Sequence, residues 1–483
     1  MPQPAKPQNS RPGSTPLSRR RLLAGAGGAV AAGALFSRAG FASAAGQRSA
    51  AGRWFATSAA DKPTLSQWYH GYGEEGVEDA VRRFAADYPD ANVEVQWFPA
   101  DYDSTLAAAL LTDDGPDVFE IGNGPNIDMI TTGQVLPLDG ILGDAESDFN
   151  ERLIKRLTYD GHLWAVPQII DMFFLVYRKS WLADAGIEPP ATVDDLIAAA
   201  AKLTTGDHSG LFLGNDGGVG TLGGMALWSA GADYLTDDNQ FGFANDDVYA
   251  SFGKLNELYQ SNSLLLGAPT DWSDPGAFIN ELTAIQLTGL WTFPAIQASA
   301  IGDDFDMMPW PALSSTVGGP SLPVGAFSST VSARTKYPDA AKAFVKWLWV
   351  DNTDAQLEFA LDYGFHIPAR NSLAEQAEPL KAGAAASALA AYQQYAFTQT
   401  PVLWTPASDQ AYSDARTRMI TEGADPAEEI AKVQEVVDSE LARLGATATS
   451  ATVAGGSAPT GTEAMGTEAA GTMAAGTVPA TTG

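Results

Sequence analysis

The 483-residue chain contains no cysteine. That absence removes disulfides, thiolate metal ligands, cysteine nucleophiles and a lipid-bearing cysteine in one step. Cations are scarce: 28 Lys and Arg stand against 58 Asp and Glu, for a formal charge of −30. Neutralising phosphates requires the opposite balance, so the composition argues against nucleic acid and against anionic membrane surfaces as partners. There are only four histidines, His70, His162, His208 and His366, and no pair has the spacing of metal ligands. No Gly-x-Ser-x-Gly elbow or His-Glu-x-x-His occurs, and the Gly-rich loop at 214–218 lacks the Lys-Ser/Thr ending of a phosphate cradle. No metal and no cofactor are expected.

What is present begins with a targeting pattern. Ser18-Arg19-Arg20-Arg21-Leu22-Leu23 is a twin-arginine motif, followed by the apolar segment Leu22 to Phe36 and the small-residue site Ala42-Ser43-Ala44. The apolar run is too short to span a bilayer. Residues 1–44 read as a twin-arginine signal peptide and 45–63 as a spacer. The signal segment holds six cations and no acid, so a cleaved chain would carry 22 basic and 58 acidic residues. Beyond residue 446 the composition turns to Ala, Thr, Gly, Ser and Pro, which cannot bury a core, and 447–483 reads as a disordered tail.

The body between is too long for one ordinary core and has alternating strand and helix periodicity. Thr64 to Trp68, a helix near Glu74 to Tyr88, Val93 to Phe98, a helix over Asp101 to Leu111 and Asp117 to Ile121 form a βαβαβ unit, which implies parallel strands. The loops after Trp68 and after Ile121, the latter carrying Asn123, should then share the sheet edge where ligands bind. Gly161 to Leu182 is apolar and aromatic and is divided by Pro167, so it reads as a crossover between two lobes. Thr192 and Asp195 predict a capped helix start, Asp246 to Gln260 a helix, and Ala284 to Phe293 a buried strand.

These pieces, in order, resemble the carbohydrate-binding, maltose-binding-protein-like solute-binding proteins that serve ABC importers. The matching segments are the Trp68 loop with its helix, Pro116-Asp117-Val118, Leu163-Trp164-Ala165-Val166-Pro167, Tyr177-Arg178-Lys179, Trp228-Ser229-Ala230-Gly231-Ala232, Gly289-Leu290-Trp291, Ala341 to Leu348 and Ile367-Pro368-Ala369-Arg370. The resemblance covers nearly all of Thr64 to Leu444. It implies an α/β, two-lobe periplasmic-binding-protein-like fold of type II, with discontinuous lobes that close on a ligand about a hinge. By that analogy 64–170 with 283–327 form the first lobe, and 171–282 with 328–446 the second. The implied partners are a sugar ligand and ABC importer permease subunits. The chain is expected to be a monomer, exported to the cell surface, a periplasm or the medium.

Sugars present apolar ring faces edged with hydroxyls, so their sites pair stacked aromatics with polar side chains. The candidate ligand residues are Trp68, Tyr69, His70, Asn123, Trp164, Asp171, Trp228, Trp291, Phe327 and Trp404, most of them in or beside predicted strand-end loops. Core packing is the competing role for each tryptophan. Asp171 interrupts an apolar run, so its carboxylate should meet either a ligand or a partner. Glu120, Asp216 and Arg370 are further polar candidates. Two alternatives stay open: a secreted glycoside hydrolase, which needs paired carboxylates, and a binder of a polyol or glycerophosphodiester.

Overall fold

A computed structural model describes residues 62–398 and 400–454. The expected signal peptide, nearly all of the spacer and the chain beyond Ala454 lie outside the described residues. Along the chain the strands are β1 (Thr64–His70), β2 (Asn92–Phe98), β3 (Val118–Gly122), β4 (Thr158–Tyr159), β5 (His162–Leu163), β6 (Val166–Pro167) and β7 (Ile169–Arg178). They continue with β8 (Ser209–Phe212), β9 (Thr283–Gly289), β10 (Phe305–Met308), β11 (Leu322–Gly325), β12 (Phe327–Val331), β13 (Ile367–Pro368) and β14 (Ala396–Thr398).

Two sheets result. The first has the order β2-β1-β3-β12-β6, with β1, β2 and β3 parallel and β12 antiparallel to both neighbours. The second has the order β14-β11-β7-β9-β8, and β10 and β13 also pair with β7. The βαβαβ unit forms the first sheet's parallel edge as the periodicity predicts. Its first helix, Val77–Asp87, buries Val77, Val81, Phe84 and Ala85 along one stripe. It begins three residues later than expected, after Gly76 at φ 95°.

The second sheet is covered on both faces. In β7, Phe174 and Val176 enter one apolar cluster while Leu175 enters another, the period-two alternation of a strand between two cores. Strand β9 is buried at all seven positions, as a central strand must be. Thr192 starts the helix Val193–Leu203 with the predicted capping box: its hydroxyl accepts from Asp195 N (3.1 Å), and its own N–H donates to the Asp195 carboxylate (3.1 Å).

The chain changes sheets at Gln168, between β6 and β7, and again at Ala326, between β11 and β12. The two passes lie side by side. Gln168 N donates to Phe327 O (2.9 Å), and Asp171 stands opposite Gly325 in the antiparallel register. The first crossover therefore falls where the Pro167 break points.

The later boundaries differ from the expectation. Strands β9, β10 and β11 belong to the second sheet, so 283–325 is not part of the first lobe. Conversely, β12 lies in the first sheet, and helix Thr353–Leu361 packs on helix Val77–Asp87 with an Arg83–Glu358 ion pair. A strand buried along its length, as β9 and β11 are, fits either sheet, and only backbone pairing chooses. Helix between 371 and 395 is broken into Asn371–Ala374, a 3-10 turn at Glu378–Lys381 and Gly383–Tyr395, with Pro379 and the left-handed Gly383 at the interruptions. A helix missed by periodicity, Pro406–Thr417, is capped by Thr405. The closing helix runs from Pro426 to Ala454, eight residues into the stretch expected to be tail.

Candidate ligand cleft

A cleft of about 850 Å³ opens where the carboxyl ends of β1 and β3 face the second sheet. Its floor is the pair of crossing segments, through Asp171, Gly325 and Ala326.

The first wall is built on β1, β3 and β12. His70 ends β1 and stacks on Phe327 (centroids 4.2 Å apart, planes 16° apart), with Tyr72 tilted against it at 4.0 Å. Behind them lies the carboxylate of Glu120, 1% exposed. It accepts from His70 N (2.8 Å) and Tyr72 Oη (2.9 Å) and pairs with His70 Nδ1. Burial works against a charged His70, but the Glu120 carboxylate outweighs it and raises the imidazole pKa. Burial, reinforced by Glu120, pushes the Tyr72 phenol well above its ordinary value. Asn123 adopts a left-handed φ of 59°, which asparagine tolerates. Its N–H donates to Ala326 O (2.7 Å) and its Oδ1 accepts from Ala326 N (3.3 Å), so the β3 loop grips the second crossing.

The second wall holds three rings nearly at right angles. Phe173 meets Trp272 at 5.0 Å and 72°, and Trp291 at 5.7 Å and 87°; the two tryptophans meet at 5.8 Å and 76°. Trp291 follows β9 and lies back over Gly289, where an added Cβ would stand 1.9 Å from its ring; only glycine permits that approach. Trp291 Nε1 donates to Ser273 O (2.9 Å). Gln286, fully buried on β9, donates to Asp274 O (2.8 Å) and Trp272 O (3.3 Å) and accepts from Phe278 N (2.9 Å). Asn215 fastens the far side of the same loop through Ala268 and Thr270. The Gly-rich loop after β8 thus braces the Trp272 loop.

Between the walls sits His366, 4% exposed. Its Nδ1 lies 2.5 Å from Asp171 Oδ1 and its Nε2 3.4 Å from Glu74 Oε1. Burial alone would lower the imidazole, but the two carboxylates outweigh it and raise it to about 10, so the ring is an imidazolium. Burial would raise Glu74, yet the hydrogen bond and charge of His366 bring it below the usual carboxylate value.

Of the ten candidates, His70, Asn123, Asp171, Trp291 and Phe327 line the cleft. The other five do not. Trp68 is 6% exposed, packs on Phe98 at 4.7 Å and donates to Ser66 Oγ. Tyr69 is fully buried, its hydroxyl accepting from Gln67. Trp164 donates to Tyr159 O beside His162. Trp228, on helix Gly223–Trp228, stacks on Phe397 (4.9 Å, 14°) and donates to Asp233. Trp404 is buried against Tyr234 and donates to Asp409. Each indole N–H is satisfied within the protein, so these rings serve packing. Asp216 accepts from the N–H groups of Gly218 and Gly220, and Arg370 pairs with Asp148.

Tyr72, Glu74, Phe173, Trp272, Asp274, Tyr363 and His366 line the cleft without having been candidates. Trp272, in Asp271-Trp272-Ser273-Asp274-Pro275-Gly276, has the polar and glycine surroundings that marked Trp291, and that signal identifies it. His366 carries none, since its carboxylate partners are 195 and 292 residues away in sequence.

A diacetylchitobiose-binding protein of Streptomyces coelicolor is 29% identical over 304 residues, covering 59% of this chain and 67% of that protein. Among solved structures, an ABC transporter solute-binding protein from Thermotoga lettingae, bound with α-D-tagatose, is 20% identical with a TM-score of 0.67, over 79% of this chain and all of that one. UgpB from Mycobacterium tuberculosis, in complex with glycerophosphocholine, is 18% identical with a TM-score of 0.66, over 79% of this chain and 99% of that one. The family model for bacterial extracellular solute-binding protein matches residues 65–349. With two α/β sheets joined by paired crossings and a cleft at their strand ends, the chain belongs to the bacterial extracellular solute-binding protein family.

Proposed function

We propose that the protein captures a sugar or oligosaccharide between its two lobes and delivers it to the permease of an ABC importer, without chemical turnover. The observation that carries this reading is the facing of two aromatic walls, His70-Tyr72-Phe327 and Phe173-Trp272-Trp291, across a floor that holds Asp171. Flat apolar ring faces stack on the walls while hydroxyls find acceptors along the floor. The volume, near the upper end of the roughly 300–1,000 Å³ of small-molecule sites, suits more than one sugar ring. A ligand that touches both walls does so fully only when they are close, which favours the closed form by population shift. The sugar-binding relative in Streptomyces supports the same class of ligand.

The twin-arginine pattern at Ser18 to Leu23 supports export in the folded state, with the monomer as the working unit. Among the described residues no helix is long and apolar enough to cross a membrane. A glycerophosphodiester is the weaker alternative, because among the described residues no lysine or arginine lines the cleft to meet a phosphate. Of the four carboxylates that line the cleft, the two more buried ones, Asp171 and Glu74, are engaged with His366, which weighs against the hydrolase alternative.

The test is a thermal-shift screen of the purified protein over a panel of mono- and oligosaccharides, glycerol and glycerophosphocholine, with product analysis of every binder. Stabilisation by at least one saccharide, recovered intact, is expected. Stabilisation by glycerophosphocholine alone, or release of cleaved sugar, would overturn the reading.

A further inference from the structure

Acids outnumber bases in the cleft. Among the described residues Glu74, Glu75, Asp171 and Asp274 line it with His70 and His366, and no lysine or arginine does. Glu74 and Asp171 both pair with the one ring of His366, two carboxylates to one imidazole. Glu75 and Asp274 take part in no ion pair among the described residues. Asp274 is held in place all the same: its Oδ1 accepts from Gly276 N (2.7 Å), and its carbonyl is tied to Gln286.

Asp274 also belongs to the loop that brings Trp272 against Phe173 and Trp291. Three nearly perpendicular rings form the corner of a box, and aromatic faces attract cations through the ring quadrupole, tryptophan most strongly. Asp274 is exposed and on the same loop, so its carboxylate adds charge attraction that solvent tempers. The same wall would repel a carboxylate or phosphate. A neutral sugar can donate its hydroxyls to these carboxylates, but it offers them no opposite charge.

We propose that the ligand carries a protonated amine, seated at the corner of Phe173, Trp272, Trp291 and Asp274: an amino sugar with its nitrogen free rather than acylated. This rests on the sugar reading above and narrows it. The neutral N-acetyl group of a diacetylated sugar would forgo both the ring attraction and the Asp274 charge.

Isothermal titration of the intact protein with matched pairs tests the proposal: chitobiose against cellobiose and N,N′-diacetylchitobiose, and glucosamine against glucose. Below neutral pH, where the amine is charged, the free-amine member should bind roughly ten-fold tighter than its partners. The margin should shrink as salt is raised. Asp274→Asn should remove most of that margin, weakening the free-amine sugar far more than cellobiose, with the melting temperature close to wild type. If the neutral sugars bind as tightly as the amines, the ammonium assignment is overturned and the sugar reading stands. If no saccharide of either kind binds, both fall together.

Discussion

On the first-sheet side of the cleft the rings of His70, Tyr72 and Phe327 are backed by the buried carboxylate of Glu120, whereas on the second-sheet side Phe173, Trp272 and Trp291 lean edge-on against one another. The first wall is fixed by side-chain charge: one carboxylate takes three hydrogen bonds from two residues of the β1 loop. The second is fixed through backbone, with Gln286 and Trp291 holding carbonyls of a loop that has no strand of its own. One wall is therefore sensitive to charge and the other to shape. His366 joins them, since Glu74 precedes the first-lobe helix and Asp171 sits on the second-sheet strand β7.

The largest effect should come from a tryptophan outside either wall. Trp228→Ala empties a buried site stacked on Phe397 and should cost about 3–5 kcal/mol of stability in a denaturant titration, with ligand affinity almost unchanged. A matching loss of affinity would return Trp228 to the cleft.

Next is the link between the walls. His366→Ala leaves two carboxylates facing each other without their cation, an expected loss of about 3 kcal/mol. The wild-type contribution also has a defined pH window. A histidine raised from 6.5 to about 10 on folding stabilises fully below pH 6.5 and loses that stabilisation as the pH rises through about 10. Glu74, lowered on folding, contributes above its ordinary value and fades as the pH falls through its depressed one. Melting temperatures compared across that range should show the alkaline decline in the wild type and not in His366→Ala.

The shape-sensitive wall is broken by Trp291→Ala, for which an affinity loss of about 2 kcal/mol, roughly thirty-fold, is expected by calorimetry, with the melting temperature close to wild type. The charge-sensitive wall is broken most gently by Glu120→Gln, which keeps the shape and removes the anion. His70 and Tyr72 then lose their common anchor, and affinity should fall by about 1 kcal/mol. If Glu120→Gln costs more than Trp291→Ala, the two walls have been ranked in the wrong order.

Several of these residues are legible in the sequence. Trp291 and Asn123 follow strands of recognisable period, and Phe327 stands beside a crossing. Asp171 is conspicuous as an acid inside an apolar run, and its need for a partner is met by His366. Trp68, Trp228 and Trp404 have the same local signature, an aromatic next to small or polar residues, yet turn inward. In β1 the alternation of side chains leaves only the last residue, His70, at the cleft. The indole N–H groups of the inward three find Ser66, Asp233 and Asp409 two to five residues away, partners whose geometry no spacing rule predicts.

The sequence by itself determined the βαβαβ start, the two-lobe class, the first crossover near Pro167 and the cation-poor character of the chain, because periodicity, proline and net charge are properties of the local chain. Tertiary structure alone decided that β9, β10 and β11 join the second sheet and that Trp272 faces the cleft while Trp228 does not. It also brought His366 between Asp171 and Glu74. A strand buried on both faces satisfies either sheet equally until backbone pairing selects one, and a buried ion triad draws its stability from groups that only the folded chain brings within hydrogen-bonding distance.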